Sequence, residues 1–194
     1  MSLSDSEIIE SVRGGAPRHF AVLIDRYKDR GLTLGLHMLK NREDAEEALQ
    51  DAFIRAYNAL NRFEGASKFS TWFYRILYNV CLTRLERRKR QIPESSYDDE
   101  QFRPGISSTE ALHLDTEFER NDMVQYLKAI INEMPAKYST ILSLFYFQDL
   151  SHNEICEITQ LSLGTVKVHL FRARAILQRR LANEFQKETA PSYE

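Results

Sequence analysis

From residue 162 to residue 183 the chain carries side chains suited to reading a DNA groove. Placed on a helix at about 100° per residue with Val166 at the origin, Val166, Leu170, Ala173 and Leu177 gather on one side. Lys167, Val168, Phe171, Arg172 and Thr165 fall between about 100° and 260°, on the opposite side. In a major groove, Lys and Arg reach the acceptors of guanine, and Thr or Val meets the methyl of thymine. Arg174, Arg179 and Arg180 are better placed for phosphates, which fix register without reading sequence. His169 falls near 300°, off the centre of that face, and a neutral imidazole adds little charge near pH 7. The competing reading is a solvated basic helix in a plain bundle.

Residues 61–90 suggest a different chemistry. Phe63, Phe69, Trp72, Tyr74 and Tyr78 alternate with Lys68, Arg75, Asn79 and Arg84. Aromatic faces stack on unpaired bases, at roughly 1–3 kcal/mol per base, while cations hold the backbone. Against this stands a simpler use of the same rings as core. Trp72 and Phe73 are expected in the core, whereas Phe63, Phe69 and Tyr74 fit either use. A third pattern, Glu47, Gln50, Asp51 and Ile54, forms an acidic stripe with one apolar anchor. Such a stripe suits a helical protein partner, although a single exposed apolar residue is ordinary.

Helices must carry all three patterns. Ala45, Ala48, Leu49, Ala52, Phe53, Ala56 and Leu60 recur at helical spacing after Asn41. Glu43, Asp44, Glu46 and Glu47 crowd the first turns, where the helix dipole favours negative charge. A polar loop from Arg62 to Phe69, containing Ser67, leads to Ser70 as the expected cap of a long helix. That helix turns Phe73, Ile76, Leu77 and Val80 inward and ends in Arg87, Arg88, Lys89 and Arg90, before Pro93. Periodicity then lapses to about Glu117 in an acidic stretch rich in Ser, Pro and Gly, which reads as a linker. It resumes with Met123, Leu127, Ile130, Ile131 and Met134, and Pro135 is placed for the first turn of a helix carrying Ile141, Leu142, Leu144 and Phe145. Ser151 and Glu154 make a capping box for a short helix containing Ile155 and Ile158. The turn Gln160-Leu161-Ser162 completes a helix-turn-helix pattern.

The formal net charge of −2 conceals a sorted distribution. Residues 1–60 carry −2, residues 61–90 carry +6, residues 91–135 carry −7 and residues 136–194 carry +1. Screening beyond about 8 Å makes these blocks matter more than the total. The polar N-terminus lacks signal-peptide regions and no apolar run is long enough to span a bilayer. With Cys81 and Cys156 far apart, a reducing cytoplasm is the expected compartment. No Gly-rich phosphate loop and no paired His or Cys with metal-ligand spacing is present. Neither catalytic groups, a metal nor a cofactor is expected, and an enzyme acting on nucleic acid is disfavoured. A stand-alone helix-turn-helix regulator explains residues 117–183 but gives no purpose to the Trp72 segment or the acidic stretch.

Four motifs occur in order: Asp44-Ala45-Glu46-Glu47-Ala48-Leu49-Gln50-Asp51-Ala52-Phe53, Phe69-Ser70-Thr71-Trp72-Phe73-Tyr74-Arg75-Ile76, Leu150-Ser151-His152-Asn153-Glu154-Ile155, and Gly164-Thr165-Val166-Lys167-Val168-His169-Leu170-Phe171-Arg172-Ala173-Arg174. Over about residues 8–183 the sequence closely resembles the extracytoplasmic-function sigma factors of bacterial RNA polymerase. The resemblance implies an all-α fold of two small helical domains joined by a flexible acidic linker. Residues 1–92 would be the sigma region 2 domain, 93–117 the linker, 118–187 the four-helix region 4 domain with its helix-turn-helix, and 188–194 a tail. Asp44, Glu47, Gln50 and Asp51, with Ile54, would dock on the β′ coiled coil of core polymerase, and the chain would also meet the β flap. The loop from Phe63 to Phe69 would take a flipped base of the −10 element, with Ser67, Lys68, Tyr74, Arg75 and Asn79 contributing to capture and melting. Thr165, Lys167, Val168, His169, Phe171, Arg172 and Arg174 would meet the −35 element. The linker would thread the RNA channel, and an anti-sigma factor would control the chain. Cys156 stands where a small residue such as Ala is common, so a buried structural role is expected for it, as for Cys81.

Overall fold

Two neighbouring residues divide the first pair of long helices. Lys40 adopts a left-handed backbone (φ 56°, ψ 23°) that ends helix α2 (Phe20–Leu39). The Asn41 side chain then accepts the Asp44 N–H at 2.9 Å and starts α3 (Arg42–Ala59). The two helices cross closely because α2 offers Gly31 and Gly35 to α3. A Cβ on Gly31 would lie 2.6 Å from Leu49 Cδ1, and one on Gly35 would lie 3.2 Å from Ala45 Cβ. Ala45, Ala48, Leu49, Ala52, Phe53, Ala56 and Leu60 are all buried, as the periodicity predicts.

The computed structural model describes residues 3–91 and 118–188, with side chains for 3–90 and 126–182. The acidic linker read at 93–117 lies outside the described residues, as does the tail beyond Glu188. Among the described residues the secondary structure is helical throughout. A first domain holds α1 (Asp5–Arg13), α2, α3 and α4 (Phe69–Gln91). A second holds α5 (Phe118–Glu133), α6 (Ala136–Tyr146), α7 (His152–Thr159) and α8 (Leu163–Glu188).

Two helix starts differ from expectation. Helix α4 begins at Phe69, ahead of Ser70, because the Lys68 carbonyl already accepts the Trp72 N–H at 3.1 Å. Pro135 precedes α6 with an extended ψ of 136°, and its carbonyl accepts the N–H groups of Tyr138 (2.9 Å) and Ser139 (3.1 Å). It caps the helix from outside instead of occupying its first turn. The Ser151–Glu154 capping box is fully formed, and Ser162 caps α8 by accepting the Thr165 N–H at 3.2 Å.

The core of the first domain is aromatic. Phe73 is fully buried and stacks on Phe53 at 4.5 Å between centroids. Tyr27, Phe69 and Tyr74 surround it. Cys81 is also fully buried, and burial pushes its thiol up to about 12, which keeps it unreactive. Cys156 is half-buried, and neither cysteine forms a disulfide. The second domain faces two ways. Ile130, Ile131, Met134, Leu142 and Ala173 form its own small core. Ile141, Leu144, Leu150, Ile155, Ile158, Val166 and Leu170 instead join the core of the first domain. The two domains therefore pack directly, α6 against α2 and α7 against α4.

Candidate nucleic-acid interface

Helix α7, the turn at Gln160 and the start of α8 form the helix-turn-helix. Gln160 takes the left-handed conformation (φ 59°), and its N–H bonds to the Cys156 carbonyl at 2.8 Å, closing α7. Val166, Leu170 and Ala173 are buried beneath α8. On its outer side Lys167 and Arg172 are exposed, Val168 is 46 % exposed and Phe171 is 73 % exposed. Thr165 is half-buried, with its hydroxyl 2.8 Å from that of Ser162. This is the face the helical wheel selects.

Three contacts refine it. Arg172 donates to the Tyr138 hydroxyl at 3.4 Å, which holds the guanidinium beside α6. His169 packs edge-on to Tyr138 and is half-buried. Burial first, then Lys137 and Arg172, lower its pKa and keep the ring neutral. That position matches its placement on the helical wheel, off the centre of the exposed face. Arg174 donates to the Tyr146 hydroxyl at 2.9 Å and lies over the rings of Phe145 and Tyr146. It is turned toward α6 in this arrangement and not toward the outer face.

The aromatic–basic segment behaves differently. Lys68, Arg75 and Asn79 are exposed, and Phe63 and Ser67 are half-buried. Phe69 and Tyr74 are only 3 % and 1 % exposed. Burial corrects the expectation for these two rings: packed on Tyr27 and Phe73, they cannot stack on a base. They shape the platform beneath the loop. Phe63 rests on that platform, 6.0 Å from Phe69 and 5.0 Å from Trp72 between centroids. The Tyr74 hydroxyl is buried without a hydrogen-bond partner, and burial raises its pKa.

The acidic stripe of α3 lies uncovered. Glu47, Gln50 and Ile54 are exposed, Ile54 to 54 %, and Asp44 and Asp51 are half-buried. Arg84 donates to Glu47 at 2.9 Å, and Arg55 grips Asp51 with two bonds of 3.0 Å. Exposed pairs of this kind are worth about 0–1 kcal/mol, so a partner can replace them.

The contacts that join the domains pair residues far apart in the sequence, and some of these residues are familiar from other roles. The Glu154 carboxylate divides its oxygens. One accepts the Ser151 N–H (2.8 Å) and hydroxyl (2.7 Å), and the other faces Lys68 Nζ (3.1 Å) and Thr71 Oγ1 (3.3 Å). Burial alone would raise its pKa, but Ser151 and Lys68 outweigh that and bring it below the usual range. Farther along, Ser139 Oγ donates to the His37 carbonyl at 2.9 Å and Gln148 Nε2 to the Arg30 carbonyl at 3.1 Å. Lys40 has an exposed stem, but its ammonium enters the junction and donates to Ser139 Oγ (3.0 Å) and the Ile131 carbonyl (3.3 Å). Enclosure of that end lowers its pKa to about 8. His37 is 4 % exposed under Phe147, and burial, aided by Lys40, lowers its pKa to about 3. Partners this distant in the chain leave no mark on local spacing. Among the described residues no group of His, Cys, Asp or Glu could hold a metal ion, and no helix is long and apolar enough to cross a membrane.

Comparison with known proteins meets this geometry at both domains. The family model of Sigma-70 region 2 matches residues 23–91, and that of Sigma-70 region 4 matches residues 125–177. The RNA polymerase sigma-H factor of Pseudomonas aeruginosa is 33 % identical, over 91 % of this chain and 93 % of its own. The ECF RNA polymerase sigma factor SigW of Bacillus subtilis is 32 % identical, over 93 % and 98 %. Among solved structures, the sigma factor RpoE bound to the anti-sigma factor NepR from Bartonella quintana has a TM-score of 0.64 at 22 % identity, covering 84 % of this chain and 96 % of that one. CnrH bound to the cytosolic domain of CnrY has a TM-score of 0.61 at 18 % identity, covering 92 % and 97 %. These two likenesses concern the fold.

Proposed function

The chain belongs to the extracytoplasmic-function RNA polymerase sigma factors, and on that premise we propose how its surfaces share the work of promoter recognition. A sigma factor binds core polymerase and directs it to promoters, and the polymerase supplies the chemistry. The observation that carries our assignment is the outward face of α8, where Lys167, Val168, Phe171 and Arg172 stand clear of a capped helix-turn-helix. This face reads the −35 element. Arg174 joins it by leaving Tyr146 for a phosphate, and the half-buried Thr165 and His169 border it.

In the first domain, the loop of Phe63, Ser67 and Lys68 receives a −10 base, with Arg75 and Asn79 beside it. Phe69 and Tyr74 serve by supporting that loop from beneath. Asp44, Glu47, Gln50, Asp51 and Ile54 dock on the β′ coiled coil, and the second domain meets the β flap. The complex of RpoE with NepR supports control by an anti-sigma factor, and the site of action is the cytoplasm, where polymerase works.

Distance sets a further requirement. The two promoter elements are named for positions about 25 base pairs apart, or about 85 Å at about 3.4 Å per step. A compact chain of 194 residues has a radius of gyration of about 16 Å. With Lys68 only 3.1 Å from Glu154 of the helix-turn-helix, the packed arrangement cannot read both elements at once. The domains must part on the promoter. The linker read at 93–117 is long enough for this, since 25 residues reach about 85 Å when extended.

Run-off transcription with purified core polymerase on a pool of genomic fragments tests the assignment. New, specific start sites that require the chain are expected. Tight binding to duplex DNA without polymerase, and no effect on start-site choice, would instead identify a stand-alone regulator.

A further inference from the structure

The loop at residues 63–68 has little internal support. Outside the helices, residues 64–67 make no backbone–backbone hydrogen bond, and Gly65 adopts a positive φ of 73°. A loop of that kind takes its shape from whatever holds its ends. At the far end Lys68 pairs with Glu154 of the second domain, a contact that is lost when the domains part. At the near end the holder belongs to the same domain. Arg13 Nη2 donates to the Leu60 carbonyl at 2.8 Å and to the Phe63 carbonyl, while Nη1 donates to Glu10 Oε1 at 2.9 Å.

The support behind this guanidinium is firm. Helix α1 is closed by a capping box between Ser4 and Glu7 and anchored by Ile8 and Ile9, which are 0 % and 3 % exposed. Asp5 fastens the helix to Arg26 and Tyr27 of α2. The Arg13 side chain is 27 % exposed and spans from this base to two carbonyls that flank the short turn at Leu60–Arg62. A planar fork of fixed donors can hold both carbonyls in one orientation, whereas the single ammonium of lysine holds a compact point.

We infer that Arg13 is a positioning residue for −10 recognition: it fixes the entrance of the base-capturing loop, and it is the polar tether there that persists once the two domains separate. Residue 13 precedes the stretch matched by the region 2 model, which begins at residue 23, so the family match does not assign it. The inference rests on the reading that this loop receives a −10 base.

The test uses holoenzymes assembled from core polymerase and four versions of the full chain: unaltered, Arg13→Ala, Arg13→Lys and Lys68→Ala. Each is titrated with a fluorescent non-template-strand oligonucleotide carrying the −10 element of a start site selected in run-off transcription. The titration is repeated with every base of that element substituted in turn. Arg13→Ala should weaken binding about tenfold and flatten the preference at one base position, with holoenzyme assembly unchanged. Arg13→Lys, which keeps the stem and charge, should recover part of both; it carries the test if the alanine variant folds poorly. Loss with Lys68→Ala but none with either Arg13 variant would overturn the inference and leave the loop reading intact. No loss with any of the three would overturn both. A loss that is uniform across base substitutions and matched by weaker holoenzyme assembly would show a general folding role and overturn the inference alone.

Discussion

On α8 the Phe171 ring is 73 % exposed and its neighbours Lys167, Val168 and Arg172 stand in solvent, whereas in the first domain Phe69 and Tyr74 are 3 % and 1 % exposed. On the proposed assignment, the difference follows from what each surface must meet. A duplex offers the same groove edges before and after binding, so its reader can be a finished helix face. Unpaired bases exist only once the duplex has opened, and a surface built for them would leave apolar rings in water. On that assignment the aromatic segment therefore buries Phe69 and Tyr74, leaves Phe63, Trp72 and Tyr78 half-buried, and rests its Lys68 against Glu154 until the promoter provides something better.

Removing a residue from the finished surface should have the largest effect. Arg172→Ala should cut run-off transcription from −35-dependent start sites about tenfold or more, since a base contact is worth about 1–3 kcal/mol, with core affinity unchanged. An equal fall in core affinity, measured by competition with the unaltered chain, would show that this face is not a DNA reader. Next in size, Asp51→Arg should lower core association about tenfold by placing a cation in the acidic stripe, without altering which start sites the residual holoenzyme selects. Holoenzyme formation at the unaltered level would remove α3 from the docking surface.

Acidification sharpens the contrast between packed and parted domains. His37 is held neutral beneath Phe147, with its pKa at about 3 against an ordinary 6.5. The parted state then binds more protons than the packed state between those values, so packing weakens as pH falls below about 6.5. From pH 7 to pH 5.5 the packed-to-parted ratio should fall up to about eightfold, and His37→Gln should flatten the response. Lys40, the charged group facing His37, keeps its proton over that range because its pKa is about 8 even in the junction. Hydrogen exchange at the amides of α6 and α7 reports the ratio; protection that is constant over this range would contradict the assignment. The smallest effect belongs to Glu154→Gln. Glutamine still completes the capping box, so α7 should persist while the pair with Lys68 is lost. Lys68 is 73 % exposed, so the pair contributes at most about 1 kcal/mol, and packing should fall by less than about fivefold. A drop in helicity, read by circular dichroism, would mean that the cap has failed instead.

Local rules made most of the framework legible from sequence. The α3 stripe, the Ser151 capping box, the turn at Gln160 and the outward face of α8 each follow from spacing and side-chain type within a few residues. The rings of the first domain did not separate by such rules, because Phe63 and Phe69 have the same chemistry and only the packing of Tyr27 and Phe73 from other helices distinguishes them. The domain junction was illegible for a related reason. Lys40 meets Ser139 and Lys68 meets Glu154 across long stretches of chain, and each of these residues is locally an ordinary surface polar group. Arg13 likewise reads as a basic residue in the last turn of a helix until the fold brings Leu60 and Phe63 to it.

Spin labels on cysteines introduced at the exposed Asn61 and Asn153, in a chain with Cys156 replaced by Ser, measure directly whether the domains part. In the free chain the label separation should stay within the diameter of a compact body, about 40 Å. In the open promoter complex it should lengthen by several tens of ångströms, toward the spacing of the two DNA elements. The same short distance in a transcriptionally active complex would contradict the account.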